Sequence, residues 1–322
     1  MRHLVCLEQA SLPLADLTQW QQLPFNVQCY PYTHPADVVS RAQSAEILVV
    51  NKTKLTAELL AQLPELRLIC VTATGVNTID LAAAERLGII VCNAQDYALQ
   101  AVPQHAIALL LSLANQITCY HRAIAKGEWS QSQQFCLLDF PIQQLAGLNF
   151  CVLGYGGLGQ ATAKLAAAFG MHVLIAERPE AKQIRAGRIA FRAALEMADV
   201  ISLHCPATED NFHLFNRERL SWLKSSALLI NTARGSLIDP VALADALRHG
   251  SLAGAALDVL DIEPPPPEHP LLAADIPNLV LSPHVGWANR HTMQSLVDQM
   301  TANILAYLAG KPLRQCRAIP MN

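Results

Sequence analysis

Three polar residues in the second half of the chain close, or closely follow, apolar runs that read as buried strands. Arg234 ends Leu228-Leu229-Ile230-Asn231-Thr232-Ala233-Arg234, and His284 ends Leu279-Val280-Leu281-Ser282-Pro283-His284. Glu263 lies just past Ala255-Ala256-Leu257-Asp258-Val259-Leu260. In an open α/β sheet the carboxyl ends of the strands line the ligand crevice, so the three are expected to converge there. A guanidinium is a planar, permanently charged fork that can hold a carboxylate and polarise a carbonyl. An imidazole, with an ordinary pKa of about 6.5, can deliver a proton. A carboxylate beside that ring favours its protonated form, and Pro264-Pro265-Pro266-Pro267 stiffen the loop that carries Glu263. These are the parts needed to reduce a 2-keto acid: an anchor for its carboxylate, a polarised carbonyl, and a proton for the oxygen as hydride reaches the carbon. Taken singly, each residue has a duller explanation as a surface charge, a solvated loop acid or a structural histidine. Their joint pattern downstream of a dinucleotide turn is far more specific.

That turn is Gly154-Tyr155-Gly156-Gly157-Leu158-Gly159, which follows the apolar run 148–153 and opens an alanine-rich helix from Gln160 to Phe169. The first glycine permits the tight turn, the second lets backbone approach a pyrophosphate, and the third lets helix and strand pack closely. The helix N-terminus adds a partial positive charge toward the phosphates. The next strand-like run, 171–176, ends in Glu177, where an acid meets the adenosine ribose. A carboxylate there accepts from the 2′-hydroxyl and repels a 2′-phosphate, which favours NAD (as NADH) over NADP. The adjacent Arg178 pulls the other way, since it could stack on adenine or attract that phosphate.

Two βα arrays would carry these residues. Apolar runs at 3–7, 26–30, 46–50, 67–73 and 88–92 alternate with helix-like segments at 36–44, 56–62 and 78–86. A long helix is expected over 101–126, with Pro103 in its first turn and Lys126-Gly127 as its stop. The second array has strand-like runs at 148–153, 171–176, 199–203, 227–231, 253–258 and 278–282, then a last helix over roughly 289–309. That helix has no following sheet, so it is expected to return to the first domain. The predicted fold is α/β: two doubly wound parallel-sheet domains, with a Rossmann NAD-binding domain at 101–285 inserted in a flavodoxin-like substrate domain at 1–100 and 286–322. The active crevice is expected between them.

Composition excludes several classes. The chain has 322 residues and a formal net charge of −3, with no basic stripe for nucleic acid. No apolar run reaches the roughly 18 residues of a membrane span, and the N-terminus lacks a signal-peptide pattern. Nine cysteines without a C-x-x-C pair read as reduced thiols in a cytoplasmic protein. No metal site is expected.

At this point the chain resembles the D-2-hydroxyacid dehydrogenases over nearly its whole length. The resemblance is carried by Thr74-Gly75-Val76-Asn77-Thr78-Ile79-Asp80, the 154–159 turn, Leu203-His204-Cys205-Pro206, Asn231-Thr232-Ala233-Arg234-Gly235, Asp258-Val259 with Glu263-Pro264, and Ser282-Pro283-His284. It implies an Arg234, Glu263 and His284 catalytic set. It also implies cofactor contacts at Gly154, Tyr155, Gly156, Gly157, Leu158, Glu177, Arg178, Cys205, Pro206, Asn211, Thr232, Ala233, Asp258 and Gly286, with Arg234 and His284 beside them; Asp258 would face the nicotinamide amide. Thr74, Gly75 and Val76 would hold the substrate carboxylate, and Lys52, in Asn51-Lys52-Thr53, would bias the pocket toward anionic substrates unless it is a solvent-exposed loop lysine. Within the family, 135–142, 174–179 and His284 with Trp287-Ala288 look most like glycerate dehydrogenases, also called hydroxypyruvate reductases. The resemblance therefore implies reduction of hydroxypyruvate to D-glycerate, with glyoxylate to glycolate as a second reaction, in a homodimer paired through the long helix and the Trp129 region. Enzymes of the D-lactate or phosphoglycerate type are alternatives. A non-catalytic NAD-sensing scaffold of the corepressor kind is another, although long disordered extensions for recruiting partners are lacking.

Overall fold

Strands that are apolar on both faces demand cover on both faces, and this chain has two such sets. The computed structural model describes residues 2–318. It divides into two units, one running to Tyr97 and resuming at Ala288, the other spanning Ala98–Trp287. The divisions fall at Tyr97 and Trp287, a few residues from the 100 and 285 read from sequence.

In the first unit the strands are β1 (His3–Cys6), β2 (Asn26–Cys29), β3 (Ile47–Val50), β4 (Leu68–Val71), β5 (Ile90–Cys92) and, near the chain end, β12 (Gln315–Cys316). Their order is β12-β5-β4-β3-β1-β2, parallel except for β12, which runs antiparallel to β5. Apart from β12 this is the 2-1-3-4-5 arrangement of a flavodoxin-like sheet. β3 and β4 are buried at every position, as expected for strands covered on both faces. The helix Arg290–Leu308 belongs to this unit: Trp20 Nε1 donates to Thr301 Oγ1 at 3.1 Å, and Asn303 Nδ2 donates to Asn93 O at 3.0 Å. The sequence pattern does not reveal β12, because two residues carry no alternation to detect.

In the second unit β6 (Asn149–Leu153), β7 (His172–Ile175), β8 (Val200–Leu203), β9 (Leu228–Asn231), β10 (Gly254–Leu257) and β11 (Leu279–Leu281) form an all-parallel sheet. The order is β11-β10-β9-β8-β6-β7. A single parallel bridge, Ala176 to Ile189, extends it beyond β7. With that bridge counted as the edge strand, the order reverses between β6 and β8, the switch point at which a doubly wound sheet binds its ligand.

The expected helix over 101–126 is instead two helices, Ala101–Ala114 and Ile117–Ala125. Gln116 adopts φ +54 between them, and a left-handed residue cannot continue a right-handed helix. Pro103 does sit in the first turn of Ala101–Ala114, where its missing N–H costs little. No helix among the described residues is long and apolar enough to cross a membrane.

Candidate active site

The dinucleotide turn follows β6 at the switch point. Gly154 has φ +93, and a Cβ there would lie 2.5 Å from both Cys205 N and His204 C, just past β8. No side chain fits: the turn after β6 and the turn after β8 touch through backbone. The third glycine serves packing, since a Cβ on Gly159 would lie 2.0 Å from Gly154 O. Gly156 is different, because a Cβ there would meet nothing within 4 Å. It caps the helix Gly157–Ala168, so open space lies before a helix N-terminus, as a pyrophosphate requires. Thr232 Oγ1, just past β9, is buried without a partner among the described residues. These features fit a dinucleotide.

Nearby side chains mostly shape the turns. Asn211 accepts from Thr208 N at 2.7 Å and donates to Pro206 O at 2.8 Å, so it closes the loop after β8. His204, bonded to Ser202 Oγ at 2.8 Å, has its pKa lowered to about 4 by burial and stays neutral.

Glu177 lies at the end of the strand after the turn, as read from sequence, but its carboxylate is already engaged. Arg185 Nε donates to it at 2.8 Å and Arg185 Nη2 donates to its other oxygen. The amide of Arg178 donates at 2.8 Å and that of Arg185 at 3.2 Å. The Arg185 contact, then those amides, hold this carboxyl well below the usual range. A ribose hydroxyl reaches Glu177 only if Arg185 yields, and the half-exposed guanidinium is itself a partner for a 2′-phosphate. Arg185→Ala should therefore weaken NADPH binding at least about tenfold relative to NADH, roughly the worth of one charged hydrogen bond. Fluorescence titration of both nucleotides reads this ratio; an unchanged ratio would show that Arg185 has no part in discrimination.

Asp258 ends the run after β10 and is 3% exposed. Its Oδ1 accepts from Ser282 Oγ at 2.6 Å and Val285 N at 2.9 Å, and its Oδ2 accepts from Gly286 N at 2.8 Å. His105 Nε2, on the helix Ala101–Ala114, lies 3.2 Å from Oδ1 and 2.8 Å from Ser282 Oγ. Burial pushes the Asp258 carboxyl up, but the bonds from His105, Ser282, Gly286 and Val285 outweigh it and hold it below the ordinary value. The carboxylate therefore organises the loop 282–286. His284 sits in that loop at φ +55, which costs a non-glycine residue about 1–2 kcal/mol. Its amide donates to Asp258 O at 2.8 Å, and Trp287 Nε1 donates to its carbonyl at 3.1 Å. Sequence reasoning misses His105 and Ser282, since His105 reads as a lone histidine on an apolar helix.

His284 Nδ1 donates to Glu263 Oε2 at 2.6 Å, while Glu263 Oε1 accepts from Leu260 N at 2.9 Å. Both side chains are about one-third exposed, open to a reactant yet fixed relative to each other. The Glu263–Pro264 peptide is cis.

Arg234 follows β9, whose register sets Asn231 opposite Leu257 of β10; Leu257 is in turn opposite Leu281 of β11. Arg234 and His284 thus extend from the same carboxyl edge, two strands apart. Asn231, fully buried, clamps the turn: Oδ1 accepts from Ala233 N and Nδ2 donates to Arg234 O, each at 2.9 Å. An asparagine ending an apolar strand is the sequence signal for this clamp. The next residue, Gly235, lies against the Leu260–Asp261 peptide, so the chain beyond Arg234 touches the loop of Glu263. The exposed Arg234 guanidinium donates to Ala233 O at 2.6 Å. The structure thus joins Glu263 to His284 directly and brings Arg234 to their edge through its backbone.

The remaining expected residues lie in the first unit. Lys52 follows β3 in a turn whose amides, from Asn51, Lys52 and Thr53, donate to the Glu8 carboxylate at 2.7–3.1 Å. Thr74, Gly75 and Val76 follow β4, and Asn93 Nδ2 donates to Thr74 O at 2.7 Å.

A family model for the D-isomer specific 2-hydroxyacid dehydrogenase, NAD binding domain, matches residues 107–286. The chain is 43% identical over 279 residues to a glycerate dehydrogenase of Methylorubrum extorquens, covering 86% of this chain and 87% of that protein. It is 34% identical to a hydroxypyruvate reductase of Blautia hydrogenotrophica over 318 residues, 96% of this chain and 98% of that one. Among solved structures, the TT0316 protein of Thermus thermophilus superposes with a TM-score of 0.85 at 36% identity, covering 98% and 99% of the two chains.

Proposed function

Because the chain belongs to the D-isomer specific 2-hydroxyacid dehydrogenases, which are NAD-dependent oxidoreductases, we propose that it reduces hydroxypyruvate to D-glycerate, and glyoxylate to glycolate, using NADH. The observation that carries the chemistry is the 2.6 Å bond between His284 and Glu263 at the carboxyl edge of the sheet. Bound NADH supplies the hydride that reaches the carbonyl carbon. Arg234 holds the substrate carboxylate and draws electron density toward the carbonyl oxygen. His284 delivers a proton to that oxygen from Nε2, since Nδ1 is committed to Glu263. Glu263 fixes the orientation of the ring by accepting from Nδ1. Asp258, nearly buried and accepting from Ser282, Val285 and Gly286, holds the loop of His284 in place. The backbone around Gly156, Gly157 and Leu158 would hold the pyrophosphate, and Thr232 and Ala233 would supply further cofactor contacts.

Steady-state rates for hydroxypyruvate, glyoxylate, pyruvate and phosphohydroxypyruvate, each with NADH and NADPH, test the reading. Hydroxypyruvate with NADH is expected to give the highest kcat/KM. A protein that binds NADH yet reduces neither hydroxypyruvate nor glyoxylate would overturn it.

The same reading includes a homodimer. Trp129, Phe135, Leu138 and Ile142 are large apolar side chains 49–91% exposed, a contiguous stretch of sequence that a second copy would cover. A light-scattering mass of one chain would exclude this. The nine free thiols support a reducing, cytoplasmic setting.

A further inference from the structure

We propose that His269 and Asp261 form a clamp that positions Glu263 against His284. The inference rests on the roles proposed above for Glu263 and His284. Glu263 stands on a loop with few backbone fixings of its own, because Pro264, Pro265, Pro266 and Pro267 carry no N–H. The loop is held by side chains instead. His269 is 4% exposed, and its Nε2 lies 2.8 Å from Asp261 Oδ1. The partners of the ring define its tautomer: Nδ1 accepts from Leu271 N at 3.2 Å, so Nε2 carries the proton and donates to Asp261. The backbone of His269 is anchored as well, donating to Pro266 O at 3.0 Å and accepting from Leu272 N at 2.9 Å. A buried, doubly fixed imidazole thus grips the loop two residues before Glu263.

On its other side the same segment meets Gly235, whose Cβ position would fall 2.3 Å from Asp261 N. The Asp261 peptide is therefore held between the backbone that follows Arg234 and the ring of His269. From that fixed point the chain needs only one tight turn, closed by Leu260 N donating to Glu263 Oε1 at 2.9 Å, to present Oε2 to His284. Neither His269 nor Asp261 exchanges a proton with a reactant; both are positioning residues. Their value lies in geometry, since displacement of a reacting group by about 1 Å can cost 10²-fold in rate.

The experiment is a double-mutant cycle on kcat for hydroxypyruvate, using Asp261→Ala, Asp261→Asn, Glu263→Gln and the double variant D261A/E263Q. Asp261 is chosen because it holds the outer end of the clamp, whereas truncating the buried His269 risks the fold. Asp261→Ala should lower kcat about tenfold with KM for NADH unchanged. Asp261→Asn, whose Oδ1 still accepts from Nε2–H, should restore most of it. In the Glu263→Gln background the Asp261→Ala effect should shrink to less than about twofold, because the two act through one group. An equal loss in both backgrounds, or an Asp261→Asn variant as impaired as Asp261→Ala, would overturn the clamp. So would unchanged turnover in Asp261→Ala while Glu263→Gln is impaired, and that result would leave the role of Glu263 intact. Unchanged turnover in Glu263→Gln would overturn the role of Glu263 and the clamp together.

Discussion

Replacing His284 by alanine should lower kcat for keto-acid reduction by about 10²–10⁴-fold, the usual worth of a positioned general acid. NADH affinity should change far less. His284 is bonded to the Glu263 carboxylate at 2.6 Å with its ring about one-third exposed, whereas His269, the ring bonded to Asp261, is buried. Its backbone is held in a left-handed conformation by Asp258, so the ring is presented by a loop whose shape is set independently of substrate. Single-turnover rates with saturating NADH check this directly. A His284→Ala variant within about tenfold of wild type would move the proton donor elsewhere.

Gly235→Ala should be nearly as damaging, through structure rather than chemistry. A Cβ at Gly235 would lie 1.9 Å from Leu260 C and 2.1 Å from Leu260 O. These are backbone atoms, so no rotamer change relieves the overlap and the turn after β9 must separate from the loop of Glu263. The destabilisation should be about 1–3 kcal/mol or more. Where folded protein is recovered, kcat should fall about 10²-fold, because Arg234 and Glu263 no longer share one frame. Denaturant midpoints and turnover measured on the same preparation separate the two effects. Gly156→Ala is the contrast: its Cβ meets nothing within 4 Å, so the midpoint should hold.

The strands were legible because alternation and apolar runs are local. β3, β4, β8 and β9 are four-residue segments buried at every position, and such runs announce themselves without knowledge of their neighbours. The glycine turn was legible for the same reason, and so was the placement of Arg234, Glu263 and His284 past strand ends. The break at Gln116 was not, since an apolar period continues through 117–125 and only backbone conformation interrupts it.

The meeting of Glu263 with His284, 21 residues apart, was expected from their shared place past strand ends. The other pairs were beyond local pattern: Asp258 finds Ser282 across 24 residues, and His105 finds Ser282 across 177. Glu177 was placed correctly at its strand end, yet its partner Arg185 comes from the loop that follows. The chain by itself determined the periodic elements, the turn that admits a dinucleotide, and the residue types at the sheet edge, because each depends on near neighbours. Only the packed structure decided the remaining pairs, because a hydrogen bond between distant side chains depends on strand register and rotamer, and neither is written in any single stretch of sequence.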